Sequence, residues 1–176
     1  MDLCSDGDIH NDIDSESLEA NSENKDSWEE VNLLMELLSK FNQVDVKSNV
    51  GPSEVKNMRI KSQIIYSTFY KEYVMVVTLE RENLNIVSLN KNTTLKAVFV
   101  HSELLSLTYP TSRITPLNVL DKRLSTICSR ILFSSTFRNK GLLVSLTYTD
   151  GILEISFQDL VNVLRVAGAK VNLYNP

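Results

Sequence analysis

The apolar positions fall into three blocks with different periods. From Trp28 to Phe41 they recur at helical spacing: Trp28, Val31, Met35, Leu38 and Phe41, with Leu34 adjoining. Ser27 and Glu30 precede this run as a capping box, so the pattern predicts an amphipathic helix over 28–41. Asn49, Gly51, Pro52 and Ser53 then read as a linker. After it the period shortens. Ile60, Ile64, Ile65 and Tyr66 open a β-rich stretch, and Tyr73–Leu79 is a near-continuous β-branched run of the kind found in a central strand. Glu80–Asn83 reads as a turn, and Leu84, Ile86 and Leu89 as the returning strand of a hairpin. Further strands are expected over about 95–100 and 104–108.

The last block returns to helical spacing. Thr115-Pro116 suits an N-cap followed by the first helical residue. Leu117, Leu120, Leu124, Ile127, Cys128 and Ile131 follow as an apolar stripe, predicting a helix over 116–133. A loop at 134–141 leads to a strand over 142–148, then a turn at Asp150-Gly151 and a short strand at 152–156. Phe157, Leu160, Val161 and Leu164 predict a further helix to about Val166, stopped by Gly168. Residues 169–176 are left as a short strand or a loose end. The sum is an α+β domain: a mostly antiparallel sheet or small sandwich with two packed helices, preceded by an N-terminal helix and an acidic tail. The expected division is a disordered tail over 1–25, helix and linker over 26–50, and the α+β domain over 51–176.

Charge sharpens this division. The net charge is −4, yet residues 1–30 carry eleven acids against Lys25 alone, so the remainder is net basic. With so little to bury, residues 1–25 are expected to remain disordered. There is no basic n-region followed by an apolar run at the start, and no apolar run approaches the ~18 residues of a membrane span. Two cysteines, Cys4 and Cys128, form neither a disulfide framework nor a zinc pattern, which suits a reducing compartment, the cytoplasm or nucleus.

The residues that usually carry catalysis are sparse. The two histidines, His10 and His101, have no second ligand at metal spacing. Five scattered glycines provide no phosphate-binding loop, and no nucleophile elbow is present. Cys128 falls on the expected buried stripe, where a thiol acts as a small hydrophobe. Arg113, Lys122, Arg123, Arg130, Arg138 and Lys140 give the C-terminal half a basic cast, but an acidic chain without stacking aromatics in an RNA-binding pattern is a poor phosphate binder. The expectation is a non-enzyme with no cofactor, no metal, no nucleic acid and no membrane, acting through its surface. Tyr66, Phe69, Tyr70 and Tyr73 crowd the first β-turn, and Phe99, Tyr109, Phe133 and Phe137 lie near strand or loop ends, places where aromatics often serve interfaces.

Three stretches together resemble the proteasome assembly chaperone three family: Ser62–Phe69, Tyr73–Thr78, and Asn85–Leu89, which ends Val87-Ser88-Leu89. Thr115-Pro116-Leu117, Gly141–Val144 and Val161–Val166 fall where that family has comparable elements. The acidic tail, the extra helix at 28–41 and the polar insertion at 91–94 depart from it. The resemblance implies a chaperone without cofactor or ATP, in a heterodimer with a sister chaperone. The pair would hold proteasome α-type subunits during α-ring assembly. Exposed loop residues Glu80, Arg81 and Glu82 at the expected hairpin tip, and Arg113 before the expected long helix, are the candidate partner-binding residues. The alternative is a structural, protein-binding subunit of another complex, with the helix at 28–41 as its docking element.

Overall fold

The computed structural model describes residues 59–101, 114–146 and 151–176, together with Asp45–Lys47 and the single residues Asn32, Glu36 and Ser39. The acidic tail, Arg113 and the strand expected over 104–108 lie outside the described residues, as does most of the helix expected over 28–41.

The chain is α+β, with two sheets around one main core. In chain order the elements are β1 (Asp45–Lys47), β2 (Ile60–Ser67), β3 (Glu72–Leu79), α1 (Ile86–Asn92), β4 (Ala97–Phe99), a 3-10 turn (Pro116–Leu120), the one-turn α2 (Lys122–Ser125), β5 (Arg130–Ser134), a second 3-10 turn (Ser135–Phe137), β6 (Gly141–Ser145), β7 (Ile152–Ser156), α3 (Phe157–Val166) and β8 (Lys170–Tyr174). Five strands form a mixed sheet in the order β4-β2-β3-β5-β8, and β1-β7-β6 form a smaller one. In the larger sheet β2 pairs antiparallel with β3 and β4, whereas β5 lies parallel to both β3 and β8. The small sheet is antiparallel throughout, and β1, from the region expected as a linker, is one of its strands.

Burial on both faces explains the continuous apolar runs. One face of β3 and β5 contributes Met75, Val77, Ile131 and Phe133 to the main core, which continues into Leu142, Val144, Leu153 and Ile155 of the small sheet and Leu160, Val163 and Leu164 of α3. The other face contributes Val74, Val76 and Leu132 to a smaller cluster with Ile65, Leu89, Leu95 and Ala97. A strand covered on both sides has no polar face to alternate with, so it loses the two-residue signature.

This corrects the helix expected over 116–133. Pro116 does begin a helical turn behind Thr115, whose backbone N–H donates to Asn118 Oδ1 at 2.6 Å. The turn ends at Asp121, which is extended, and α2 lasts only one turn. Ile131, Leu132 and Phe133 are then needed in the sheet, where all three are buried. The returning strand expected over 84–89 is corrected too: Ile86–Asn92 is helix α1, started by Asn85, whose side chain accepts from the Ser88 N–H at 3.0 Å. The hairpin is instead β2–β3, turning at Thr68–Lys71.

The helix at 157–166 forms as expected. Ser156 Oγ accepts from the Asp159 N–H and donates to Asp159 Oδ2, closing the first turn. At the other end Gly168 adopts φ +90, its N–H donating to Arg165 O and the Ala169 N–H to Leu164 O, the Schellman pattern.

A candidate protein-docking surface

The β2–β3 turn presents its aromatics on a fixed backbone. The Thr68 and Phe69 N–H groups donate to Lys96 O and Leu95 O, both at 3.3 Å, joining the turn to the segment before β4. Ser67 Oγ, buried, donates to Leu95 O at 2.6 Å and accepts from the Tyr70 N–H at 3.1 Å. Tyr70 then stands against Phe69, edge to face with centroids 4.9 Å apart, and against the Arg130 guanidinium, 4.5 Å from its ring centre. Arg130 is itself held by an ion pair with Glu72 and by Asn172 Oδ1 at 3.0 Å. Phe69 nevertheless remains 55% exposed and Tyr70 43%.

Strand β4 extends this apolar surface along the sheet edge. Val98 lies opposite Tyr66, and Phe99 opposite Ile65. Their exposures are 46% and 56%. On an edge strand alternate residues turn their backbone groups outward, which invites pairing with another chain. At Ala97 the Asn90 side chain takes that role: Oδ1 accepts from the Ala97 N–H at 2.5 Å and Nδ2 donates to Ala97 O at 2.9 Å. A helix side chain thus substitutes for a neighbouring strand at one residue and leaves Val98 and Phe99 presented beyond it.

Phe69, Tyr70, Val98 and Phe99 form an apolar strip that wraps one corner of the sheet, from the turn onto its edge strand, with Phe99 on the Ile65 face and Val98 on the opposite one. Each is large and apolar, and each is held by backbone contacts rather than by a loose loop. Preordered aromatic side chains of this kind lose little conformational entropy when a partner covers them.

The candidate residues chosen from sequence sit elsewhere. Glu80, Arg81 and Glu82 are exposed, but they follow β3 into α1 rather than tipping a hairpin. Glu80 lies 3.7 Å from the Arg59 guanidinium, and its N–H donates to Arg59 O. They lie at the Ile60 end of the β2–β3 pair, a strand length of about 23 Å from the Phe69 turn. Phe69 and Tyr70 were legible as turn aromatics; Val98 was not singled out, because three residues of edge strand show no period.

The groups that sequence reading weighed for chemistry are not gathered. Cys128 is fully buried, and burial pushes its thiol up to about 12, so it stays protonated and unreactive at neutral pH. His101 is exposed at the end of a described stretch. No cluster of three or more His, Cys, Asp or Glu side chains suited to a metal occurs among the described residues. No helix among them is long and apolar enough to cross a membrane.

No protein-family model matches the sequence, and no curated protein matches it. Solved structures do match the fold. One is the crystal structure of hypothetical protein APE2540, with 16% identity and a TM-score of 0.57, covering 81% of this chain and 98% of that one. Another comes from epitope backbone grafting by computational design onto scaffold proteins, with 8% identity and a TM-score of 0.55, covering 84% of this chain and 97% of that one. At such identities the likeness is one of fold alone.

Proposed function

We propose that the chain is a non-catalytic protein-binding module whose partner packs on the strip formed by Phe69, Tyr70, Val98 and Phe99. The observation that carries this reading is the combination of large apolar exposure with a pinned backbone. A surface destined for water gains nothing from aromatics held in place there, whereas exposed apolar groups clustered together are a mark of interfaces.

The finer reading comes from the sequence resemblance: an assembly chaperone that pairs with a sister chaperone and holds proteasome α-type subunits. The β2–β3 hairpin supports it. Helix α1 weighs against it, since residues 85–89 carry part of the resemblance as a strand. Affinity purification of the tagged chain, quantified against a Phe69→Ser/Phe99→Ser variant, tests both levels. Partners lost in the variant support docking on the strip. Proteasome α subunits among them support the chaperone, and a different stable complex supports a structural subunit instead. Identical recoveries from both chains would sink the docking reading.

A further inference from the structure

A second surface, independent of the apolar strip, lies on the far side of the larger sheet. Between α3 and β8 there is a cleft of about 200 Å³, lined by Phe157, Val161, Val171 and Leu173, with Arg138 and Arg165 among its other lining residues. Neither guanidinium makes a hydrogen bond or ion pair among the described residues, although both are exposed. The volume is below the roughly 300–1,000 Å³ of typical small-molecule sites. It suits one or two side chains of a peptide. Strand β8 adds an edge to the site: the Lys170 N–H donates inward to Ser129 O, so the backbone groups of Val171 and Leu173 alternate outward.

The chain carries a segment of matching chemistry. Asp12-Ile13-Asp14 and Glu16-Ser17-Leu18-Glu19 alternate carboxylates with apolar side chains. Strand β1 runs antiparallel to β7, with Asp45 opposite Glu154, so Asp45 is the residue of β1 nearest the Ser156 end of β7. Phe157 and Gln158, which line the cleft, follow at once, about 10 Å beyond Glu154. Between Glu19 and Asp45 lie 25 residues, a tether that reaches about 37 Å even at a helical rise of 1.5 Å per residue.

We infer that residues 12–19 occupy the Arg138/Arg165 cleft of their own chain, their carboxylates on the two guanidiniums and Ile13 or Leu18 on the apolar floor. Tethering gives this segment an effective concentration on the order of millimolar, ahead of a free acidic peptide. The tail thereby neutralises the basic flank of the domain and competes with any acidic partner there.

The test uses the full chain and a fluorescent peptide of residues 10–21 as probe, read by anisotropy. Wild type binds the probe weakly, because an occupant present nine-tenths of the time weakens a competitor by about tenfold. The Asp12→Asn/Asp14→Asn/Glu16→Gln/Glu19→Gln chain binds it about tenfold tighter, and less so at high salt. Adding Arg138→Gln/Arg165→Gln abolishes the gain, with unchanged circular dichroism showing that the exposed replacements leave the fold intact. Equal affinity in wild type and the neutralised chain overturns the intrachain occupant and leaves the cleft to a separate acidic partner. Binding that survives loss of both arginines, or no binding by the neutralised chain, overturns the site itself. The Phe69→Ser/Phe99→Ser variant leaves all these affinities unchanged, which separates this test from that of the docking strip.

Discussion

Replacing Asn90 by Ala removes both hydrogen bonds that its side chain makes to the Ala97 backbone, at 2.5 and 2.9 Å, and nothing else that holds β4. Each neutral bond contributes about 0.5–1.5 kcal/mol net, so the pair contributes ~2 kcal/mol at this partly exposed edge. Alanine returns about 0.5 kcal/mol through its better helix propensity in α1. The expected loss is therefore ~1.5 kcal/mol, seen as a lower urea midpoint at unchanged slope. Asn90→Asp keeps the acceptor for the Ala97 N–H but sets a carboxylate against Ala97 O, and should be no more stable than Asn90→Ala. The local readout is hydrogen exchange: the Ala97 amide is protected in wild type and exchanges freely in Asn90→Ala, while the Val98 amide, facing β2, keeps its protection. The freed edge should also promote self-association at high concentration. A stability change below about 0.3 kcal/mol with Ala97 still protected would refute the claim that Asn90 substitutes for a missing strand.

Other consequences follow from the core and its caps. The Cys128 thiol rises from 9.0 to about 12 on folding, so its contribution is fully present below pH 9 and disappears as pH climbs from 9 to 12, by up to about 4 kcal/mol. Urea midpoints at pH 8 and pH 10.5, with Cys128→Ala as the comparison that flattens the slope, measure this. Tyr174, raised by burial and then by Glu82, adds loss of the same sign above pH 10. Leu160→Ala, at a fully buried position of α3, should cost about 2–5 kcal/mol by chemical denaturation. Gly168→Ala meets no atom within 4 Å but must hold φ +90, so its cost of about 1–2 kcal/mol is purely conformational and should appear undiminished at high salt.

Elements specified by local sequence were the legible ones. Strands β2 and β3 follow from their apolar, β-branched residues, though their pairing with each other was not expected, and α3 follows from its apolar stripe and Gly168. Strand β5 was not legible because Ile127, Cys128 and Ile131 imitate helical spacing, and the demand for Leu132 and Phe133 on opposite faces comes from β3 and β8, distant in sequence. Helix α1 was missed for a related reason. Its seven residues are too few to show a period, and its position is fixed by Asn85 and by the Asn90–Ala97 pairing. That error also put the expected hairpin tip at Glu80, Arg81 and Glu82, which stand at the opposite end of the strand pair from the β2–β3 turn. Exposed aromatics at the real turn were visible in the sequence as residue types, but their fixed orientation depends on Ser67, Leu95 and Lys96, which only the fold brings together.

The docking account is tested most directly by hydrogen exchange on the chain alone and in complex with whichever protein co-purifies with it. The account predicts added protection confined to residues 66–70 and 95–99, lost together with the complex in Phe69→Ser/Phe99→Ser. Protection centred on another face, with residues 66–70 and 95–99 unchanged by the partner, would contradict it.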